Sequence, residues 1–389
     1  MSLAFLLHTV QHVAFGYSAY QVISEESFLA GVRSASSARR ILVLMGCGFI
    51  AGFGWWALYR YGKPLVSVRR AVHAKRAHMP LLSTCVHVIL QIVTIALGSP
   101  LGREVAPREL SALMGGMLSR RAGFNLQDTQ VMIACGAGAG LAAVYNVPLG
   151  GAFFTLEVLL CTRHWSLLWP AFMTSLIATG ISWIGLGNVP QYHIVQSPVS
   201  PSLIIWALLT GPLFGLAAVL FTRITAHATR LATHHTWLPL GCILNFTIIG
   251  VLAVYFPSLL GNGKSPAQIE FDDASSILLA ATLLLLRTGI TWSSLRAGAR
   301  GGLLTPSLAN GALLAVVLGG GWNYLWPGTH LSAFAVIGAA AFLAAAQNMP
   351  LTAIVLLFEF TRIPLSFFMP ISVCVGGSMG MYRLLRYRA

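Results

Sequence analysis

Long apolar runs separated by short polar connections dominate the chain. They cover positions 41–58, 81–97, 131–161, 167–186, 203–221, 238–256, 277–286, 303–318, 334–346 and 352–379. A helix needs about 20 apolar residues to cross a bilayer, and several of these runs are shorter or are interrupted by Gly or Pro. The pattern predicts an all-α, polytopic membrane protein in which some helices end inside the bilayer.

Composition and charge agree with a membrane protein. Of 389 residues, 56% are hydrophobic and 9% are charged, whereas soluble domains carry about 25% charged residues. The net charge of +14 comes from residues in the connections. These are Arg33, Arg39, Arg40, Arg60, Lys63, Arg69, Arg70, Lys75, Arg76, Arg120, Arg121, Arg383, Arg386 and Arg388. Such clusters are typical of cytoplasmic loops, so we expect a multi-pass inner-membrane protein that binds no nucleic acid.

Catalytic and metal-binding patterns are missing from the sequence. The six cysteines lie singly, without a CxxC pair or a Cys/His ligand spacing. There is no HExxH motif, and only ten residues are acidic. We therefore expect no metal, no cofactor and no enzymatic activity.

An internal repeat divides the chain. Positions 136–158 and 338–360 match at a constant offset of 202, with ten of 23 residues identical. The identities include Asn146/Asn348, Pro148/Pro350, Leu149/Leu351 and Glu157/Glu359. Upstream, GREVA at 102–106 matches GLLTP at 302–306 at an offset of 200. We predict homologous halves at 1–188 and 203–389, joined by a linker at 189–202.

Membrane repeats of this kind often place a substrate site where the two halves meet. A duplication that preserves no site is the alternative. The first candidate is the turn Gly102-Arg103-Glu104, after which a new helix is predicted. Unpaired amides at a helix N-terminus attract anions, and an ionised Glu104 would compete for them as a gate. A carboxylate at a helix start on the membrane surface explains Glu104 equally well.

The second half offers an equivalent turn at positions 301–306, where the amides of Leu303 and Leu304 could face an anion. Pro306 suits the first turn of a helix, where a missing N–H is tolerated. A third turn precedes a predicted helix at positions 61–64 and contains Tyr61. A basic cytoplasmic loop explains that segment equally well.

These motifs resemble those of the CLC family of chloride channels and chloride/proton antiporters. GREVAP is similar to the family signature GREGP, GLLTP to GxFxP, and the NVPLGGAFFTLE and NMPLTAIVLLFE segments to the corresponding CLC helices. The resemblance runs from about position 60 to position 379. It implies two inverted-topology repeats of broken and tilted helices, in a homodimer of the short bacterial type without C-terminal regulatory domains.

The resemblance also implies residue roles. Glu104 would gate a pathway for chloride or another small monovalent anion. The amides near Arg103, Val105, Leu303 and Leu304 would bind the anion. The family's central serine and tyrosine have no clear copies here, and we hypothesise that the Tyr61 hydroxyl replaces both.

Proton coupling is disfavoured by one departure from the family pattern. Exchangers usually carry a second glutamate directly after the one that matches Glu157, and this chain has Val158 there. A valine cannot relay a proton, so we expect a channel; an antiporter with another internal proton route is the alternative. The fluoride-exporting branch is a weaker option, because its motif glutamate is absent at Leu303 and Leu304.

The remaining carboxylates in apolar runs need a separate explanation, because such groups are costly inside a membrane. Glu157 and Glu359 occupy equivalent repeat positions. We expect both to accept hydrogen bonds from backbone amides of adjoining connections. Glu104 has no acidic counterpart at Leu304, which favours an added function for it.

Overall fold

The computed structural model describes residues 2–17, 27–74, 78–162, 164–195, 197–232 and 236–387. Of the basic residues named above, Lys75, Arg76 and Arg388 lie outside these ranges. The described residues form the helices α1 Ser2–Phe15, α2 Phe28–Ser34, α3 Ser37–Tyr61, α4 Val68–His73, α5 Leu81–Ala96, α6 Val105–Arg121, α7 Leu126–Tyr145, α8 Pro148–Phe154, α9 Leu168–Leu186, α10 Pro201–Arg230, α11 Leu238–Tyr255, α12 Lys264–Phe271, α13 Ile277–Arg296, α14 Leu304–Leu325, α15 Leu331–Gln347, α16 Pro350–Thr361 and α17 Phe368–Tyr387. A π-helical turn, Thr155–Leu160, continues α8.

The helices have the lengths and composition of a polytopic membrane protein. Within the described residues, seven are long and apolar enough to cross a bilayer, and five apolar helices are shorter. The described part of the chain contains no strand beyond a single β-bridge. The prediction of an all-α polytopic membrane protein is confirmed.

Side-chain caps explain where several helices begin. Ser36, Asn125, Ser200 and Ser276 each accept a hydrogen bond from a backbone N–H in the first turn of α3, α7, α10 and α13. Such caps satisfy N–H groups that have no partner within the helix. The starts of α6 and α14 lack a side-chain cap from their own N-terminal residue. Several other helices, among them α8 and α16, also begin without such a cap.

The two sequence repeats fold into the same turn. Helix α7 ends at Asn146 with φ 58°, and α15 ends at Asn348 with φ 52°. Asn tolerates this left-handed conformation better than most residues. Pro148 and Pro350 then occupy the first positions of α8 and α16, where the missing N–H is tolerated. The matched sequences thus specify two matched helical hairpins.

The repeated glutamates cap each other's hairpins. Glu157 accepts hydrogen bonds from the backbone N–H groups of Leu351 and Thr352 at 3.1 and 2.7 Å. Glu359 accepts them from Leu149 and Gly150 at 2.9 and 2.6 Å. Each carboxylate therefore satisfies the start of the helix in the other half.

Equivalent turns also precede α6 and α14. Gly98 and Gly298 adopt φ 105° and 101°, a region that only glycine enters easily. The next residues, Ser99 and Ala299, each donate a backbone hydrogen bond of 3.0 Å to the preceding helix. These paired turns support a chain of two related halves; the boundary at 189–202 stays a prediction.

The first prediction concerns the reciprocal caps. Replacing Glu359 by Gln should lower the free energy of unfolding by about 1–3 kcal/mol, because hydrogen bonds to a charged acceptor become neutral ones and an N-terminal charge interaction is lost. Thermal unfolding of the purified protein in detergent measures the effect. The exposed Asp128 is the control, and Asp128→Asn should have a smaller effect. Equal stability of Glu359→Gln and wild type would show that the cap is energetically unimportant.

Candidate functional site

The two halves meet at a pair of glycines. Gly102 and Gly302 form an antiparallel bridge, with N–H to carbonyl distances of 2.7 and 2.8 Å. The carboxylate of Glu104 lies directly over both, so a Cβ atom on either glycine would overlap it. Helices α6 and α14 begin on either side of this bridge. Glycine is required at both positions because the two backbone segments and the Glu104 carboxylate approach one another closely.

Glu104 is completely buried at the start of α14, with 0% of its surface exposed. Its Oε1 accepts a hydrogen bond from the backbone N–H of Leu304 at 2.8 Å. Its Oε2 accepts from the hydroxyls of Tyr145 at 3.2 Å and Thr305 at 3.4 Å. The carboxylate thus fills a small polar position at a helix N-terminus, where an anion would bind.

Prolines limit which amides remain available at this position. Pro107 and Pro306 are each the third residue of their helix, α6 and α14. The first-turn N–H donors are therefore those of Val105 and Ala106 in α6, with Leu304 and Thr305 in α14. An anion that replaced the Glu104 carboxylate could use these donors without any fixed cation.

Tyr145 supplies a hydroxyl that the sequence analysis missed. It is the last residue of α7 and is buried, and its hydroxyl lies 2.8 Å from that of Thr305. Its ring packs edge-on against Phe360, with centroids 5.4 Å apart, while the Arg103 guanidinium lies 5.4 Å from the same ring. The repeat held a usable signal, because Gln347 stands at the equivalent position. The two halves share this turn, but only the first half carries a phenol hydroxyl at this position.

The hypothesis that Tyr61 provides the central hydroxyl is wrong. Tyr61 is the last residue of α3, its side chain is 78% exposed, and its ring contacts Trp56. Gly62 is the C-cap of that helix, so the segment contributes a helix C-terminus. A C-terminus presents carbonyl groups, which do not attract anions. The hydroxyl that lies beside Glu104 is that of Tyr145.

The other predicted residues divide into two groups. Arg103, Val105, Leu303 and Leu304 flank or contact the Glu104 carboxylate, and they come together as the sequence implies. Val158 lies in the π-helical turn after α8, partly buried against the main apolar core. The described residues contain no group of three or more His, Cys, Asp or Glu side chains that could hold a metal.

A buried arginine holds the loop that carries Glu104. Arg287 in α13 is 0% exposed and donates to the carbonyl oxygens of Leu259 and Gly261 at 3.0 and 3.1 Å. It also donates to Pro100 at 3.3 Å. Among the described residues it has no carboxylate within ion-pair distance. Arg287 therefore fixes the loop that precedes Glu104 through the carbonyl group of Pro100.

Comparison with known proteins identifies the family. A family profile described as voltage gated chloride channel matches residues 47–383. The chain therefore belongs to the voltage-gated chloride channel (CLC) family.

Individual relatives agree with the CLC assignment. A putative chloride channel protein ClcB-like of Ralstonia nicotianae is 28% identical, over 87% of this chain and 81% of the relative. The voltage-gated ClC-type chloride channel ClcB of Escherichia coli is 27% identical, over 86% and 82%. A slow cyanobacterial Cl⁻/H⁺ antiporter has the same fold, with a TM-score of 0.81 at 18% identity over 100% of this chain and 93% of the other. A CLC-type fluoride/proton antiporter superposes with a TM-score of 0.74 at 20% identity over 98% and 97%. The CLC fold is thereby confirmed.

The second prediction tests the glycine bridge. Gly302→Ala should lower the free energy of unfolding by about 1–3 kcal/mol, because its Cβ overlaps the Glu104 carboxylate and the buried group has to move. Gly321→Ala in α14, the helix that follows Gly302, is the control, since a Cβ there meets no atom within 4 Å. Thermal unfolding in detergent compares the two. If both alanines behave alike, the carboxylate is not confined between the two glycines.

Proposed function

We propose that this CLC protein is a passive pathway for chloride or a similar small monovalent anion, gated by Glu104. The observation that carries the proposal is the Glu104 carboxylate on the Leu304 amide, at the start of α14. An ionised carboxylate there blocks the anion position. A protonated or displaced side chain would release the amides and hydroxyls around it.

Passive conduction is favoured because Val158 replaces the internal proton-carrying glutamate that CLC exchangers usually have. Chloride/proton exchange by another route is the second candidate. One observation favours it: a further buried carboxylate, Glu109, lies five residues beyond Glu104 on α6. The names of the ClcB relatives support chloride as the anion.

We also propose that the protein works as a homodimer in a bacterial inner membrane, transports ions and catalyses no reaction. The relatives are bacterial, and the basic connections fit a cytoplasmic face. Exposed apolar side chains such as Leu149 and Leu351, 45% and 56% exposed, lie beside the reciprocal glutamate caps. They could meet a second copy or lipid.

The third prediction tests the gate. Purified protein in liposomes should release chloride slowly at neutral pH and faster at acidic pH. Glu104→Gln should conduct at least about tenfold faster at neutral pH and lose the part of the acid activation that the Glu104 carboxylate produces, because each hydrogen bond to the charged carboxylate is worth about 1.5–3 kcal/mol. Internal and external pH are recorded during the flux.

The outcomes separate the two candidates. Chloride release without proton movement supports passive conduction. Proton movement at a fixed ratio to chloride would replace it by exchange. A variant that keeps both the neutral-pH rate and the acid activation of the wild type would exclude Glu104 as the gate.

The fourth prediction concerns the Tyr145 hydroxyl. Tyr145→Phe removes a donor to the Glu104 carboxylate, which favours the protonated, open state. A hydrogen bond to a charged group contributes about 1.5–3 kcal/mol, and one pH unit corresponds to about 1.36 kcal/mol. The midpoint of acid activation should therefore rise by about 1–2 pH units. The exposed Tyr61 gives a matched control, and Tyr61→Phe should leave the midpoint in place. An unchanged midpoint in Tyr145→Phe would remove this tyrosine from the gate.

A further inference from the structure

A second ionisable cluster lies inside the membrane-spanning part of the protein, away from the Gly102–Gly302 bridge. Glu109 in α6 and His87 in α5 approach to 3.7 Å between Oε2 and Nε2, with side chains 14% and 9% exposed. The amide of Gln91 donates to the same carboxylate oxygen at 3.2 Å. Ionisable groups at this depth are expensive and commonly functional.

Trp55 fixes the protonation pattern of His87. Its indole N–H donates to Nδ1 of the imidazole at 2.9 Å. An indole nitrogen can only donate, so Nδ1 has to be the acceptor and the neutral ring carries its proton on Nε2. That nitrogen is the one that faces Glu109. A second proton on His87 would break the Trp55 hydrogen bond, which leaves the Glu109 carboxylate as the group that can accept one.

The Glu109 carboxylate is weakly satisfied for a buried charge. Its contacts at 3.2 and 3.7 Å are longer than the charge-assisted hydrogen bonds of about 2.7–2.9 Å that usually hold such a group. The neighbouring Arg108 guanidinium instead lies 4.3 Å from the centroid of the Phe154 ring. Within the described residues, no arginine forms an ion pair with Glu109.

Repeat symmetry argues against a purely structural carboxylate. At the offset of 200, the counterpart of Glu109 is Ala309, fully buried in α14. The second half therefore folds the same turn and helix start without an acid. Glu104 shows the same asymmetry against Leu304. The fold of this turn and helix therefore does not require either Glu104 or Glu109.

Other charged and titratable side chains lie on α6 and on the elements that pack around Glu109 and His87. They include Arg108 on α6, Arg300 after α13, His8 on α1, Tyr59 on α3, Tyr145 and Asp128 on α7, and Arg69, Arg70 and His73 on α4. Of these, Arg108 acts on Glu109 and Arg300 acts on His87. His8 interacts with Arg103, His12 and Lys264 instead. Arg108 also interacts with Glu104, so it couples the two carboxylates of the helix.

We propose that Glu109, held by His87 and Gln91, is a proton-binding site inside the membrane that controls how strongly the anion pathway attracts its anion. This inference rests on the proposed gating by Glu104. Five residues of helix separate the two carboxylates by about 7.5 Å along the axis. Five residues also turn the helix by about 140°, so the two carboxylates point to different faces and lie farther apart than the axial distance. At about 15 Å and an effective dielectric constant of about 20, two unit charges change each other's binding several-fold. Protonation of Glu109 removes a negative charge that repels the anion and leaves Arg108 to attract it.

The test uses full-length protein in liposomes with equal pH on both sides and subsaturating chloride. Measurements start from Glu104→Gln, in which the gate no longer titrates. Its chloride flux should still rise several-fold, up to about tenfold, from neutral to acidic pH. Adding Glu109→Gln should abolish this rise and hold the flux at the high, acidic level. The exposed carboxylate Asp128 is the control, and adding Asp128→Asn should leave the rise intact.

A second variant tests the same site if Glu109→Gln fails to fold. Gln91→Leu removes the donor to the Glu109 carboxylate and also a buried amide oxygen that lacks a partner. It should move the midpoint of the residual flux curve to higher pH, since the charged form loses a hydrogen bond. A merely structural Gln91 would change stability without moving this midpoint.

Each result has one meaning. A Glu104→Gln protein that conducts no anion overturns the proposed function itself. A Glu104→Gln flux that is independent of pH, or a pH dependence that survives Glu109→Gln, overturns the proton site and leaves the gate standing. An unmoved midpoint in Gln91→Leu also overturns it.

Discussion

The hydrogen bond between the Glu104 carboxylate and the Leu304 amide is the interaction on which the rest of the site depends. Two helices begin at the same place, in a region that lipid and protein keep dry, and each brings N–H groups with no intrahelical partner. The carboxylate of Glu104, the residue that precedes α6, satisfies one of them in α14 at 2.8 Å. Gly102 and Gly302 leave the necessary space, and Arg287 holds the loop in position. The closed site is stable because a negative group fills it.

The same physics serves a different purpose at Glu157 and Glu359. Those carboxylates also cap helix starts, but they do so reciprocally and with short bonds to paired amides. Removing either leaves amide donors at a helix start without their partner. In the proposed gating, Glu104 differs because a small anion would take over its donors when the carboxylate leaves. On this proposal, a carboxylate at a helix N-terminus is structural where no ion replaces it and is a gate where a soluble ion does.

The sequence predicted the symmetric part of this protein well and the asymmetric part poorly. Repeated turns, glycines and prolines are visible at constant offsets, so the fold and the position of Glu104 could be predicted. Tyr145 could not be placed by spacing, because 41 positions of chain separate it from Glu104 and only the end of α7 brings them together. The motif around Tyr61 predicted a turn before a helix, yet α3 includes Tyr61 as its last residue and leaves its side chain exposed. Comparing the halves for mismatched positions, such as Tyr145 with Gln347, would have been more informative.

Charge balance links the gate to anion selectivity. Arg103 and Arg108 lie near the Glu104 carboxylate, and Arg287 binds the preceding loop at Pro100. The described residues show no carboxylate within ion-pair distance of Arg108 or Arg287. When Glu104 is neutralised or swings away, these positive charges remain in a medium of low dielectric constant, where an uncompensated charge is strongly unfavourable. An anion that enters restores the balance, whereas a cation worsens it. On the proposed gating, opening and anion entry are therefore one coupled step, and the proposed protonation of Glu109 would adjust how large the positive excess becomes.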